Sequence, residues 1–353
     1  MDSSMKMKMG VAMAILVLSL ALVPSVDADT ADAGWYGSQL DANGFAVYDA
    51  MRAAFSGCTD DSVQIQVTFD RNPSVTLFPD AESARKDASA SVGNALTAAY
   101  YDMPLAIWLW NHPASPAEVV VDTAEVVMDG ETYHVAESVS FTLSVGDVYA
   151  GKVASTIAAV MDEITDRVYD GNDAEKARSI SSSLMDVDVI DSPEGRECDV
   201  YDALVLEKSS AAGIAAAFMC IAESNNMDAV IVGGTTYTSD SEEGVASFWN
   251  MVVNDGKWYA VDMVMNIDSD GNVFTMVGSD TEVDGSPFIV THRIDPDMQG
   301  STGLSAPDMN RSAYEYPKEV SFIDEYGIYI IAGLMVLVIL FVIIRSLKDG
   351  SLR

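Results

Sequence analysis

The sequence predicts an α+β protein that ends in a membrane-spanning helix. A run of small apolar residues at 211–224 follows Ser209 and Ser210, hydroxyl residues suited to an N-cap, and predicts a buried helix. The apolar run at 229–234 and the segment 248–263, which is divided by an Asn-Asp-Gly turn, predict a strand and a hairpin. Nineteen uncharged residues at 326–344 predict the spanning helix.

The amino-terminal 28 residues have the features of a secretory signal. Lys6 and Lys8 precede an apolar stretch over 10–23, and small residues lead to an expected cleavage site near Ala28. We therefore expect residues 1–28 to be removed as a signal peptide, with an uncleaved anchor as the alternative. Pro24 and the shortness of the apolar stretch favour the signal peptide.

The apolar segment 326–344 is long enough to cross a bilayer and has Tyr326 and Tyr329 at its outer edge. Arg345, Lys348 and Arg353 follow it, so the nine-residue tail 345–353 is expected in the cytoplasm. The sequence thus predicts a single-pass protein of the cell membrane with its amino-terminal bulk outside the cell.

The charge of the chain restricts its partners. It carries 54 acidic and 19 basic residues, a formal net charge of −35. A surface of this kind repels nucleic acid and anionic lipid, which excludes both as expected partners. A surface polypeptide or polymer is compatible with it, and the apolar span itself implies contact with the membrane.

The amino-terminal region, residues 29–170, is expected to mix helices and strands. SVQIQVTF at 62–69 alternates apolar and polar residues, as a half-buried strand does, and Asp129-Gly130 lies between two β-type runs. The predicted helices are 35–57, 82–101 and 152–168, and the predicted strands are 62–69, 125–135 (a hairpin) and 138–145.

Residues 171–296 are expected to form the core, followed by a stalk over 297–325. Besides the helix and hairpin above, a helix at 174–185 and short strands at 272–278 and 287–294 are predicted. A hairpin with Val253 opposite Lys257 would bring Ser247 and Asp262 to the same end of the sheet.

The three cysteines divide into two groups. Cys58 and Cys198 lie in polar, turn-like contexts, and an extracellular location would permit a disulfide between them. The sequence leaves this pairing open, because it does not show proximity. Cys220 lies in an apolar helical run, where a buried inert thiol is expected.

Three short segments carry a resemblance to a known family. They are Ala211-Ala212-Gly213-Ile214-Ala215, Ser247-Phe248-Trp249-Asn250 and Trp258-Tyr259-Ala260-Val261-Asp262. In this order and spacing they resemble the Cys-x-Gly-Tyr-Ala, His-x-Trp-Asn and Trp-Tyr-x-Val-Asp motifs of the transglutaminase-like family, which has a papain-type fold. The resemblance covers about 200–265 and implies a small-residue helix packed on an antiparallel sheet.

The resemblance also implies a catalytic triad that this chain has mostly lost. The family nucleophile, a cysteine, corresponds to Ala211, and the histidine that serves as its base corresponds to Ser247. Only Asp262 matches. Alanine offers no nucleophile, and serine does not take up a proton near neutral pH. None of the histidines lies at a family position: His112, His134 and His292. His292 could approach the sheet, but a displaced base is not expected there.

These features favour a non-catalytic protein that binds at the cell surface. Trp249, Trp258 and Tyr259 either line a cleft or belong to the core. The run Asn266-x-Asp268-x-Asp270-Gly271 begins like a calcium loop but ends in Val277 instead of glutamate, so no metal or cofactor is expected. Two alternatives remain open: an amide hydrolase or acyltransferase with a non-standard nucleophile, and an acidic structural spacer.

Overall fold

The computed structural model divides into two units, Met1–Ala313 and Tyr314–Arg353. It describes residues 34–55, 62–69, 76–106, 118–144, 152–192, 197–237, 243–283, 285–295, 303–317 and 322–348. The predicted signal peptide and Cys58 lie outside these residues, so the cleavage site and the Cys58–Cys198 bridge stay predictions. Cys198 is buried, with its sulfur unbridged among the described residues.

A three-stranded antiparallel sheet and two helices form the amino-terminal part of the first unit. The sheet order is β1-β3-β2. The elements are α1 (Ala42–Phe55), β1 (Ser62–Thr68), α2 (Ala81–Asp102), β2 (Val120–Met128) and β3 (Glu131–Ser144).

The alternation in β1 acts as predicted, because Val63, Ile65 and Val67 are buried and the residues between them are exposed. Helices α1 and α2 pack against this sheet. The turn at Asp129-Gly130 joins β2 to β3, and both residues have positive φ, as a tight hairpin turn requires. The strand predicted at 138–145 is the continuation of β3.

Helices form a layer around one central helix. That helix, α6, is buried from Ala212 through Ala222, because its alanines and Gly213 allow close approach of the surrounding chain. It contacts the neighbouring helices and two strands of the sheet. The elements of this layer are α3 (Lys152–Thr165), α4 (Asp173–Ser183), β4 (Asp188–Val189), α5 (Val200–Leu204), β5 (Lys208–Ser209) and α6 (Ala211–Ser224).

The second sheet is five-stranded and antiparallel, with the order β12-β6-β7-β8-β9. The predicted α+β class is therefore confirmed in its coarse form. The elements are β6 (Ala229–Thr236), β7 (Val245–Asn254), β8 (Lys257–Val261), α7 (Met263–Asp268), β9 (Thr275–Val277), β10 (Glu282–Val283), β11 (Ser286–Pro287), α8 (Phe288–Thr291) and β12 (His292–Ile294).

The register of the β7–β8 hairpin differs from the prediction by one residue. Asn254 pairs with Lys257, and Val253 pairs with Trp258 instead of Lys257. The turn contains only Asp255 and Gly256, both with positive φ, which is the two-residue turn that matches the twist of a hairpin. Continuing this register places Trp249 opposite Asp262, whereas the predicted register places Phe248 there.

The strand predicted at 287–294 is also interrupted. A single helical turn, α8, occupies its first half, and only His292–Ile294 pairs with β6. The apolar run was ambiguous because a short buried segment can be a helical turn or a strand.

Residues 303–311, predicted as part of a stalk, instead lie against the sheet. The N–H of Asn310 donates to the carbonyl of Trp258, and the Asn310 carbonyl accepts from Ser279 N–H, both at 2.8 Å. Leu304 is buried. Polar and proline-rich composition led to the stalk prediction, but main-chain hydrogen bonds and one apolar side chain hold this segment to the fold.

The second unit contains α9 (Phe322–Lys348). Within α9, the 19-residue segment Ile328–Ser346 has a mean hydropathy of 2.8 and is not buried. Among the described residues this is the one helix long and apolar enough to cross a membrane.

Candidate functional site

The three motif positions lie at the ends of three elements. Ala211 is the first residue of α6 and is half-buried. Ser247 lies in β7 and is buried. Asp262 directly follows β8, where it is the N-cap of α7. The predicted meeting of Ala211 with Ser247 stays a prediction.

The carboxylate of Asp262 is engaged at both oxygens. Oδ1 accepts the N–H of Met265 at 3.0 Å, which caps the amino terminus of α7. Oδ2 lies 2.9 Å from Nε2 of His292. Both side chains of this pair are 1% exposed. The one residue that matches the family triad is thus enclosed, with a histidine from a different strand as its partner.

The His292 ring is contacted at both nitrogens and by two aromatic side chains. Its Nδ1 lies 2.9 Å from Oγ1 of Thr291. Its ring stacks on Phe288 at a centroid distance of 3.7 Å and meets the edge of Trp249 at 5.3 Å. The Trp249 indole in turn lies over Gly234, where a Cβ would collide with it. An imidazole so packed has one orientation, with one nitrogen at a carboxylate and the other at a hydroxyl.

The sheet explains how His292 reaches Asp262. His292 pairs with Thr236 in β6, and Thr236 pairs with Val245 in β7. Since directly paired residues share a face and the face alternates along a strand, His292 lies on the same face as Ser247 and Trp249. The imidazole lies on that face but comes from the far side of β6.

Sequence reasoning discounted His292, and one signal could have found it. It follows Thr291 in an otherwise apolar run that was expected to be a strand beside the sheet. A buried histidine needs a polar partner, and Asp262 is the polar residue that the family motif places in this sheet.

At the amino terminus of α6, in contrast to the Asp262–His292 pair, buried polar groups have no partner among the described residues. The buried hydroxyls of Ser209 and Ser210 make no hydrogen bond within the part of the chain that the structure describes. Ser210 is the N-cap, yet its side chain caps no N–H. Further along, Asn250 donates to the carbonyl of Ala215 at 2.9 Å and thereby ties α6 to β7.

The three candidate cleft aromatics are core or covered residues. Trp249 and Tyr259 are 1% and 5% exposed. Trp258 is half-buried and is met edge-on by Trp35 at a centroid distance of 5.2 Å. A bridge to Met309 flanks it. These rings therefore stabilise the fold, and the chain itself occupies the space over Trp258.

A second buried carboxylate lies in the amino-terminal part, at the end of α2. Asp102 accepts the N–H groups of Gly37 at 2.7 Å and Tyr36 at 3.2 Å, and the hydroxyl of Tyr48 at 3.2 Å. Burial raises the pKa of Asp102 to about 6, and these hydrogen bonds only partly oppose the shift. Sequence reasoning gave no indication of this residue.

No group of three or more His, Cys, Asp or Glu side chains among the described residues could hold a metal ion. The calcium-loop-like run belongs partly to α7. Its first residue, Asn266, is buried, and the side-chain amide of Asn266 donates to Thr275 and accepts from Phe274 N–H, both at 2.8 Å.

Burial raises the pKa of the Cys220 thiol well above its usual value, as expected of an inert core cysteine.

No protein-family model and no curated protein matches this chain. Among solved structures, a crystal structure of a TGase is similar, with 11% identity and a TM-score of 0.28, over 60% of this chain and 56% of the other. A candidate cysteine protease from Cytophaga hutchinsonii is similar, with 11% identity and a TM-score of 0.26, over 45% of this chain and 68% of the other. A candidate protease from Parabacteroides distasonis has 12% identity and a TM-score of 0.23, over 56% of this chain and 39% of the other. The chain thus spans little more than half of the first of these structures.

Proposed function

We propose that this protein is a membrane-anchored, extracellular domain of transglutaminase-like type that has no catalytic activity and binds a polypeptide or polymer at the cell surface. The observation that carries the proposal is the state of the three motif positions. The nucleophile position is an alanine, the base position is a serine, and the remaining aspartate is enclosed by His292 and the amino terminus of α7.

The chemistry of this arrangement supports the absence of turnover. Acyl transfer by the family requires a thiolate, a base within hydrogen-bond reach and access for the substrate. Ala211 has no reactive group. His292 and Asp262 are closed to solvent, so a substrate carbonyl does not reach them without opening the sheet.

The proposed location rests on the two hydrophobic ends of the chain and on its charge. The span at Ile328–Ser346 would anchor the protein, and the basic residues after it favour a cytoplasmic tail. The chain has most residues of the family motifs but neither the nucleophile nor the base. We therefore propose that the domain binds a surface polymer without reacting with it.

Turnover measurements on the purified full-length protein test the central claim. We expect no incorporation of an amine into a glutamine peptide, and no peptide hydrolysis, above the rate of the Asp262→Ala/His292→Ala variant. Labelling by a thiol- or serine-directed probe should also be absent from the folded protein. Wild-type turnover that disappears in the double variant, with the variant shown to be folded by circular dichroism, would overturn the proposal.

A second candidate function has one observation in its favour. Thr291 Oγ1, His292 and Asp262 Oδ2 form a hydroxyl, imidazole and carboxylate series with two 2.9 Å contacts. In hydrolases with a hydroxyl nucleophile, an imidazole takes the proton of the hydroxyl and a carboxylate orients the imidazole. The Thr291 hydroxyl, however, is buried and also lies 3.0 Å from the Phe288 carbonyl. Covalent capture of Thr291 by a fluorophosphonate would establish this alternative.

A further inference from the structure

We propose that the amino terminus of α6 binds a carboxylate group of a ligand, using the hydroxyls of Ser209 and Ser210 together with the main-chain N–H groups of the first turn. The inference deepens the proposed function, because it assigns a chemical class to the ligand and a place where it docks.

The first turn of α6 presents donors that the helix itself does not use. The first main-chain bond of the helix runs from Ile214 N–H to the Ser210 carbonyl at 3.1 Å. The N–H groups that precede Ile214 have no intrahelical acceptor, as in any helix. In most helices the N-cap side chain accepts one of them, but here Ser210 does not.

Two buried hydroxyls add to these donors. Ser209 is fully buried and Ser210 is 6% exposed, and neither hydroxyl has a hydrogen-bond partner among the described residues. The Ser209 hydroxyl points into the first turn, because a Cβ built on Gly213 would collide with its oxygen. A buried hydroxyl without a partner is costly, so this combination indicates a group that completes the hydrogen bonding.

The charge of that group follows from the donors. Hydroxyls and main-chain N–H groups at a helix amino terminus favour an anion, since the helix dipole is positive at that end. Lys208, which precedes the two serines, is exposed, and its ammonium group lies 3.3 Å from the Asp188 carboxylate, so the site relies on the helix terminus and the hydroxyls. The nearby buried carboxylate of Asp199 accepts from Tyr201 and Asp202 N–H, so its charge is satisfied by α5.

A carboxylate fits the site better than a larger anion. Ala211 is half-buried, so the start of the first turn is partly open to solvent. The carbonyl of Asp199 lies against Gly213 on one side, which limits the volume. Such a carboxylate can belong to the end of a polypeptide or to an acidic sugar polymer.

The test uses the full-length protein with ¹³C-methyl alanine, so that the methyl groups of Ala211 and Ala212 report on the first turn. We expect sodium acetate, titrated at constant ionic strength and neutral pH, to shift both signals with saturation. Acetamide, which has the same shape without the charge, should not shift them. Acetyl-alanine and glucuronate, compared next, distinguish a polypeptide terminus from an acidic sugar.

The variants decide between a site and a general salt effect. Ser209→Ala/Ser210→Ala should weaken acetate binding at least about tenfold, as expected for losing hydrogen bonds to a charged group. Ser224→Ala, at the other end of α6, should leave it unchanged, because its hydroxyl donates to the Cys220 carbonyl. Shifts that do not saturate, an equal response to acetamide, or unchanged affinity in the double variant would overturn the proposal.

If the double variant fails to fold, the contrast between acetate and acetamide in the wild type still decides the matter. The result is also independent of the turnover assay. A catalytically active protein could bind acetate here, and an inactive one could fail to.

Discussion

Two regions near the motif positions, one around Asp262 and one at the start of α6, differ in how their buried polar groups are paired. Around Asp262, both carboxylate oxygens and both His292 nitrogens have partners inside the fold. At the start of α6, the Ser209 and Ser210 hydroxyls are equally buried but have none among the described residues. One region is closed by hydrogen bonds within the chain, and the other leaves two buried hydroxyls without a partner among the described residues.

We expect the region around Asp262 to stabilise the fold and the start of α6 to serve in binding. A buried, paired carboxylate and imidazole hold the sheet in one arrangement, and removing either leaves the other unpaired at high cost. Unpaired buried donors destabilise the folded protein and become favourable only when a ligand accepts from them. The two regions should therefore respond to mutation in opposite ways.

The largest expected effect comes from breaking the pair. His292→Ala should lower the free energy of unfolding by about 3–5 kcal/mol, because it leaves Asp262 buried without its partner and removes the stacking on Phe288. Urea denaturation followed by tryptophan fluorescence measures this loss.

The matched control is His134→Ala, which removes a half-buried histidine from β3 and should cost less than about 1 kcal/mol. A double-mutant cycle of His292→Ala with Asp262→Ala should show strong coupling. Additive losses would mean that the pair is not a unit.

An intermediate effect is expected at Asp102, whose pKa is raised to about 6 in the folded state. Because the folded protein favours the protonated carboxyl, the stabilisation is complete below the unfolded pKa near 4 and is lost as pH rises through about 6. Between pH 7 and pH 4 the wild type should therefore gain about 1–3 kcal/mol from this residue.

Asp102→Asn removes that gain. The difference in free energy of unfolding between wild type and variant, measured at several pH values, should move in favour of the wild type as pH falls. Subtracting the two curves cancels the general relief of charge repulsion on acidification. A difference that stays constant with pH would show that Asp102 titrates at an ordinary value in the folded state.

The smallest effect is expected at the open region. Ser209→Ala removes a buried hydroxyl that has no partner among the described residues, so the free energy of unfolding should change by less than about 1 kcal/mol and can rise. Thermal unfolding of the ligand-free protein measures it. A loss above about 2 kcal/mol would place Ser209 in the same class as His292 and remove the contrast between the two regions.

Local sequence patterns predicted the helices and strands better than they predicted how neighbouring strands are paired. Alternation located β1, small residues located α6, and Asp-Gly turns located both hairpins. The register of the β7–β8 hairpin was wrong by one residue, because turn length is decided by backbone geometry at Asp255 and Gly256.

The site was predicted at the motif positions and not beyond them. Asp262 followed from its motif, whereas His292 and Asp102 depend on contacts between residues 30 and more than 60 positions apart. Periodicity does not report such contacts. The packing of residues 303–311 against Trp258 was missed for the same reason, since polar composition alone resembles a linker.

That packing determines how mechanical tension would enter the first unit. A pull on its carboxyl end would be carried by the main-chain bonds of Asn310 and Arg311 to Trp258, Ser279 and Asp280. Behind them, Trp35 and Gln39 hold the carbonyl of Ser305 at 2.8 and 3.0 Å. These contacts join Trp35 and Gln39, near the first described residue, to the segment 303–311, so a load on that segment would be shared between the sheet and the start of the described chain.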